Sequence, residues 1–138
     1  MTKKELIMNA LTPFLKREIP FGYEEGTGCV YYTKNSEGNI IQCSVGRYME
    51  RPSDYLSDTS SILVIGLDCL KPEVRDLLSI DEWRWIQQIH DRIALINRNE
   101  TTLCPSPIRA LDSLEIISGL DLSDLRQTIE NFEYDKIS

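Results

Sequence analysis

Cys29-Val30-Tyr31-Tyr32-Thr33-Lys34-Asn35-Ser36-Glu37-Gly38-Asn39-Ile40-Ile41-Gln42-Cys43-Ser44-Val45-Gly46 decides the fold. Two runs rich in β-branched and aromatic residues flank a loop holding Asn35, Gly38 and Asn39, the pattern of a β-hairpin. With Lys34 opposite Ile40, Cys43 falls opposite Tyr31. Residues two apart share a face, so Cys29, Tyr31, Ile41, Cys43 and Val45 are expected on one, apolar side. Val30, Tyr32, Gln42 and Ser44 are expected on the other. A lone hairpin is marginal in water and needs a helical cover.

Ser79-Ile80-Asp81-Glu82 supplies that cover. Serine and glutamate three apart form a capping box, and Leu78 with Trp83 can staple the entry. Ile86, Ile89, Ile93 and Ile96 repeat at helical steps, with Trp83 and His90 on one edge of the stripe and Trp85 on the other. Gln87, Gln88, Asp91, Arg92 and Arg98 are expected on the solvent face. The central helix is thus read over residues 79–99.

The remaining elements are also helical. Thr2 and Glu5 form a second capping box, followed by Leu6, Ile7, Ala10, Leu11, Phe14 and Leu15. Pro13 predicts a break near Thr12 within an N-terminal helix spanning 1–19, because proline lacks an amide and clashes with the carbonyl four residues back. Residues 20–28 hold Gly22, Gly26 and Gly28 and read as a mobile connector. No Gly-Lys-Ser/Thr follows, so it is not a phosphate-binding loop. Ile62 to Leu70 leans to a short helix, Ile108 to Ile117 to another that Gly119 stops, and residues 121–135 to a last helix burying Leu122, Leu125, Ile129 and Phe132. The expectation is one α+β domain over 1–138, a two-stranded antiparallel hairpin (28–46) packed on several helices.

The chain of 138 residues carries a net charge of −7, unevenly spread. Its first fifty residues hold six basic and six acidic side chains, residues 51–100 six and nine, and residues 101–138 three and seven. Such a chain is repelled by phosphate backbones, which disfavours direct nucleic-acid binding and favours a protein partner with a basic surface. Asp121, Asp124, Glu130 and Glu133 on the last helix are the expected contacts, with the Trp85 and Arg92 side of the central helix as the alternative. No run is apolar enough to span a bilayer and no leader pattern is visible, so a cytoplasmic setting is expected. The four cysteines, 29, 43, 69 and 104, show no Cys-x-x-Cys and are expected as reduced thiols.

One enzymatic reading is a thiol-dependent hydrolase using Cys43 and His90, the imidazole lowering the thiol pKa. It needs an orienting acid. Asp91 is expected to point some 100° away from its neighbour, into solvent, so Cys43 is read instead as a small buried hydrophobe and His90 as an edge residue. Cys29 and Cys43 as metal ligands would need two more donors from Cys69, Cys104 or His90; core cysteines are the simpler account, and no cofactor is expected. Carboxylate pairs such as Glu24-Glu25, Asp81-Glu82 and Asp121-Asp124 read as solvated loops and helix starts.

The hairpin end Cys43-Ser44-Val45-Gly46, then Leu70-Lys71-Pro72-Glu73-Val74-Arg75, then Glu82-Trp83 with Ile86-Gln87 and His90-Asp91, resembles a group of small uncharacterised proteins of bacteriophages and other mobile elements. The group's pattern is a hairpin closing on Cys-Ala/Ser-Ile/Val-Gly, a Leu-Lys-Pro-Glu-x-Arg segment and a helix ending Leu-Gln-x-x-His-Asp. This chain has Ile86 where leucine is usual. The resemblance runs from Gly28 to Arg92 and implies a genomic setting rather than an activity. A non-enzymatic acidic protein binding a host or competing-element protein is the leading expectation. A homodimeric, chaperone-like escort is a further alternative, although the later strands by which such chaperones dimerise are not evident.

Overall fold

The Ser79 capping box forms as read: its hydroxyl accepts from the Glu82 amide at 3.1 Å, and the Glu82 carboxylate accepts from the Ser79 amide at 2.8 Å. From it runs the organising helix. A computed structural model of the chain describes residues 1–98 and 105–134. In chain order these give α1 (Lys3–Leu15), β1 (Tyr23–Glu24), β2 (Gly28–Cys29), β3 (Thr33–Lys34), β4 (Ile40–Ile41), α2 (Ile62–Ile65), α3 (Pro72–Arg75), α4 (Ile80–Asn97), α5 (Pro107–Ser118) and α6 (Ser123–Glu130). The protein is a small single α+β domain, about half helical, with two short antiparallel hairpins. Helix α4 lies at its centre, packed against α1, α2, α5 and β2. It buries Trp83, Ile86, Ile89, His90 and Ile93 on one face. Among the described residues no helix is long and apolar enough to cross a membrane.

Helix α1 does not break at Pro13. It runs unbroken to Leu15 and stops well short of residue 19. Proline leaves the carbonyl of Asn9 without its helical donor, and the Arg47 guanidinium takes that place at 3.0 Å. A distant side chain thus satisfies the carbonyl that proline leaves open. Beyond the end, Arg17 adopts φ 58°, a left-handed position usually given to glycine. Its side chain is held there by the Glu133 carbonyl at 2.7 Å and by the Phe132 ring.

The single hairpin expected over 28–46 is two smaller ones. Lys34 does face Ile40, with Thr33 opposite Ile41. The turn forms as its residues predict: Asn35 Oδ1 accepts from the amides of Glu37 and Asn39, and Gly38 sits at φ 82°. Pairing then stops. The Tyr31 amide donates to the Asp58 carbonyl, and the Tyr32 carbonyl accepts from the Ser57 amide, so this run pairs with residues 57–58 rather than with Cys43. Cys29 belongs to the other hairpin, opposite Tyr23, a residue of the stretch read as a mobile connector.

After Ile41 the chain curls into a 3₁₀ turn at Gly46–Tyr48. Side chains in a curl radiate rather than alternate, so Cys43, Ser44 and Val45 are all buried, and so is Val30. Ser44 is not on a solvent face; its hydroxyl donates to the Ile86 carbonyl at 3.5 Å. The curl is close-packed: a Cβ on Gly46 would stand 2.0 Å from the Tyr31 carbonyl oxygen, and one on Gly22 2.3 Å from the Cys43 nitrogen.

Two further polar residues are buried against expectation. Gln87 accepts from the Ile62 amide at 3.0 Å and donates to the Tyr31 hydroxyl at 2.8 Å, which donates to the Ser60 carbonyl. One side chain thus ties α4 to the start of α2 and to the hairpin region, and burial raises the Tyr31 pKa. Glu82 is buried and paired with Lys3 at 2.8 Å. Burial pushes its carboxyl up, but Lys3 and the Ser79 amide and hydroxyl together hold it below the ordinary range. Ile62–Leu70 is helical as leaned, α2 followed by a 3₁₀ turn. The last helix is shorter than 121–135; it spans Ser123–Glu130, and residue 135 lies outside the described residues, as does residue 99 at the end of the central helix.

Candidate functional site

The chemistry-bearing residues converge at the middle of α4. His90 is 1% exposed. Its ring meets Phe14 edge-on at 4.7 Å between centroids and Phe21 at 5.6 Å. Nε2 lies 3.0 Å from the Gly22 amide, and Nδ1 lies 2.8 Å from Asp91 Oδ1. A backbone N–H only donates, so Nε2 is the acceptor and Nδ1 carries the proton donated to Asp91. The expectation that Asp91 faces away is corrected. Adjacent helical side chains diverge, but the short carboxylate arm and the δ nitrogen, close to its own Cβ, both bend back far enough to meet.

Cys29 is the cysteine at this site. Its Sγ reaches the Asp91 carbonyl at 3.8 Å. Cys29 Sγ, a His90 ring nitrogen and an Asp91 carboxylate oxygen all lie within 4.8 Å of one another, the group of metal-type donors found among the described residues. Cys43 is not in it, and Cys104 lies outside the described residues. No sequence spacing joins Cys29 to His90; β2 packs on α4, and the preceding segment is tied there through the Gly22 amide.

The donor set is that of a thiol triad or a metal centre, and the proton placement opposes both. A general base serving a thiol needs a free acceptor nitrogen, and Nε2 is already taken by Gly22. A metal on Nδ1 would push the ring proton to Nε2, against the Gly22 N–H 3.0 Å away. The geometry is that of a latch: His90 fastens the Gly22 segment to α4, and Asp91 fixes the tautomer.

The Cys43–His90 couple is likewise not assembled. Neither nitrogen of His90 goes to Cys43, whose Sγ accepts from the Gly46 amide at 3.3 Å. Burial pushes the Cys43 thiol up to about 12, with the nearby Asp91 charge adding to the rise. At neutral pH it is a thiol, not a nucleophile. In the native protein Cys43 should therefore label with a water-soluble thiol reagent at least ~100-fold more slowly than after unfolding, and more slowly than the half-buried Cys29 and Cys69. Time-resolved peptide mass spectrometry checks this. Fast native labelling of Cys43 that His90→Ala abolishes would restore the hydrolase reading.

The acidic residues stand apart from this latch. Asp121, Asp124, Glu130 and Glu133 are all exposed. Asp124 and Glu130 lie on α6, while Asp121 precedes it and accepts from the Ser123 amide at 3.0 Å, and Glu133 follows it. On the alternative surface, Trp85 is half-buried beneath two guanidinium groups, Arg84 at 4.8 Å and Arg92 at 5.7 Å from its ring centre. Arg92 also donates to the Ser106 carbonyl at 3.1 Å. A cleft of about 310 Å³ lies between Arg17, Phe21, Tyr23 and Arg98. Its cations are engaged: Arg98 pairs with Glu25 and stacks on Tyr23, and Arg17 is bound as described above.

No family model matches the chain, and no curated protein or solved structure does.

Proposed function

We propose that this protein is a non-enzymatic acidic interaction protein of phage or mobile-element origin, which binds a basic surface of a host or competing-element protein in the cytoplasm. One observation carries the reading: His90 is buried with both ring nitrogens engaged, while Asp121, Asp124, Glu130 and Glu133 all face solvent. Between residues 105 and 134 six carboxylates stand against two arginines. One of those, Arg126, is held by Asp112 at 2.6 Å and by Glu115. The origin rests on the sequence resemblance over Gly28 to Arg92 and the mode of action on charge.

Long-range attraction acts on encounter rates and is screened by salt. Replacing Asp121 and Asp124 with Asn, and Glu130 and Glu133 with Gln, removes four charges and no core atom. Asn at 121 keeps the acceptor for the Ser123 amide. Capture from a bacterial lysate, followed by association kinetics on the recovered protein, should show a basic partner. Its association should slow about tenfold in the fourfold variant, with dissociation changed far less, and its affinity should fall as salt rises to ~150 mM. A partner indifferent to salt and to all four substitutions would reduce the acidity to a solubility feature and direct attention to Trp85 and Arg92.

A further inference from the structure

Helix α5 buries Pro107, Ala110, Leu111 and Leu114, which turns its opposite side outward. There Ile116 is 83% exposed, the most exposed large apolar side chain among the described residues, and Ile117 beside it is 46% exposed. Single exposed apolar residues are ordinary. An adjacent pair closing a helix is less so, and exposed acids follow this one in the chain. Asp112, one turn back on the face of Ile116, is paired with Arg126 at 2.6 Å and adds no free charge. Asp121 follows two residues beyond the Gly119 cap, and Asp124 opens the next helix. The last turn of α5 contains no basic residue, so the negative end of the helix dipole adds to the same field.

Charge selects the occupant. A second copy would bring the same carboxylates and another net −7 to the contact. Nucleic acid and anionic lipid are repelled for the same reason. A protein segment presenting apolar side chains edged by lysine or arginine satisfies both the isoleucines and the field, and a helix carries that combination on one side. We propose that Ile116 and Ile117, with the exposed Asp121 and Asp124 that follow them in the chain, form a docking surface for a basic amphipathic helix of a partner protein. The apolar stripe of that helix seats on the isoleucines, and its cations face the carboxylates and the end of α5. This inference rests on the basic-partner reading and adds to it an apolar anchor on α5, outside the four carboxylates named there.

The test uses the full chain and a fluorescent peptide of about fifteen residues made only of leucine and lysine, with leucines at helical spacing. A second peptide of the same composition has them scattered around the helix. Anisotropy should show the first peptide bound, and bound more tightly than the second. Ile116→Ser with Ile117→Ser should weaken it about tenfold or more. Val64→Ser, on the exposed α2 residue (78% exposed), should leave it unchanged. Denaturant melts of Val64→Ser should coincide with the parent, and those of the isoleucine variant should stay close to it, since Ile116 is 83% exposed and Ile117 46%. Equal binding of both peptides, a loss on Val64→Ser, or no loss on the double isoleucine change overturns the docking surface. So does self-association of the parent, in sedimentation, that the isoleucine change abolishes. If the fourfold acid variant weakens the peptide while the isoleucine change does not, the docking surface falls and the basic-partner reading stands. If neither change matters, both fall.

Discussion

Gly46→Ala should strongly destabilise the native fold. The Cβ it adds would lie 2.0 Å from the carbonyl oxygen of Tyr31 and 2.8 Å from its carbonyl carbon. Both are backbone atoms of a buried segment, which cannot swing aside as a side chain end could. The φ at this position is not positive, so the penalty is one of volume alone. Overpacking a core commonly costs a few kcal/mol; with two backbone segments forced apart we expect about 4 kcal/mol or more. A domain of this size holds only about 5–15 kcal/mol in total, so melting should fall by roughly 15 °C. The comparison is Gly38→Ala. That glycine has φ 82° with open space where its Cβ would be, so the substitution costs backbone strain only, about 1 kcal/mol. Melts of Gly46→Ala and Gly38→Ala that coincide would disprove the close approach of the curl to Tyr31.

His90→Ala should be the most damaging change to a polar side chain of α4. It strands the buried Gly22 amide, leaves Asp91 without its donor, and empties the space against Phe14 and Phe21. A stranded buried donor costs about 1–3 kcal/mol, and the cavity adds a similar amount. About 4 kcal/mol is expected in urea titration. Asp91→Asn keeps an acceptor oxygen at a half-buried site and should cost about 1 kcal/mol or less. A latch predicts this large difference between the two. A catalytic pair would predict that either change spares stability, and a loss below about 1 kcal/mol for His90→Ala would remove the latch.

Local signals read well from the sequence because their causes are local. Both capping boxes, the Asn35 to Asn39 turn, the Lys34–Ile40 register and the Gly119 stop depend on residues a few positions apart. The failures share a different cause. Pro13 looks like a break until Arg47 is brought to Asn9. Gln87 and Glu82 look solvated until Tyr31, Ile62 and Lys3 arrive as partners. Alternation along 41–45 fails because the chain curls, and the curl is set by contact with Tyr31. The His90 site was legible only in part. The histidine and its place on the central helix could be read, and so could the burial of Cys43. Cys29 and Gly22 could not, because nothing in their spacing from His90 encodes the approach. Asp91 was visible as a neighbour but misjudged by an angle rule that ignores how short side chains bend.

The Arg47–Asn9 contact also bears on the order in which the molecule assembles. Up to Asn9, α1 needs only its own residues and its capping box. Past that point its backbone is completed by a guanidinium 38 positions away in sequence. A nascent chain that has not yet reached Arg47 holds a helix with an unclosed turn, and the Phe14 ring under which His90 settles is part of that turn. Completion of α1 past Asn9 is thereby tied to the docking of the 43–49 curl, so that the first element in sequence shares its closing contact with a segment far along the chain.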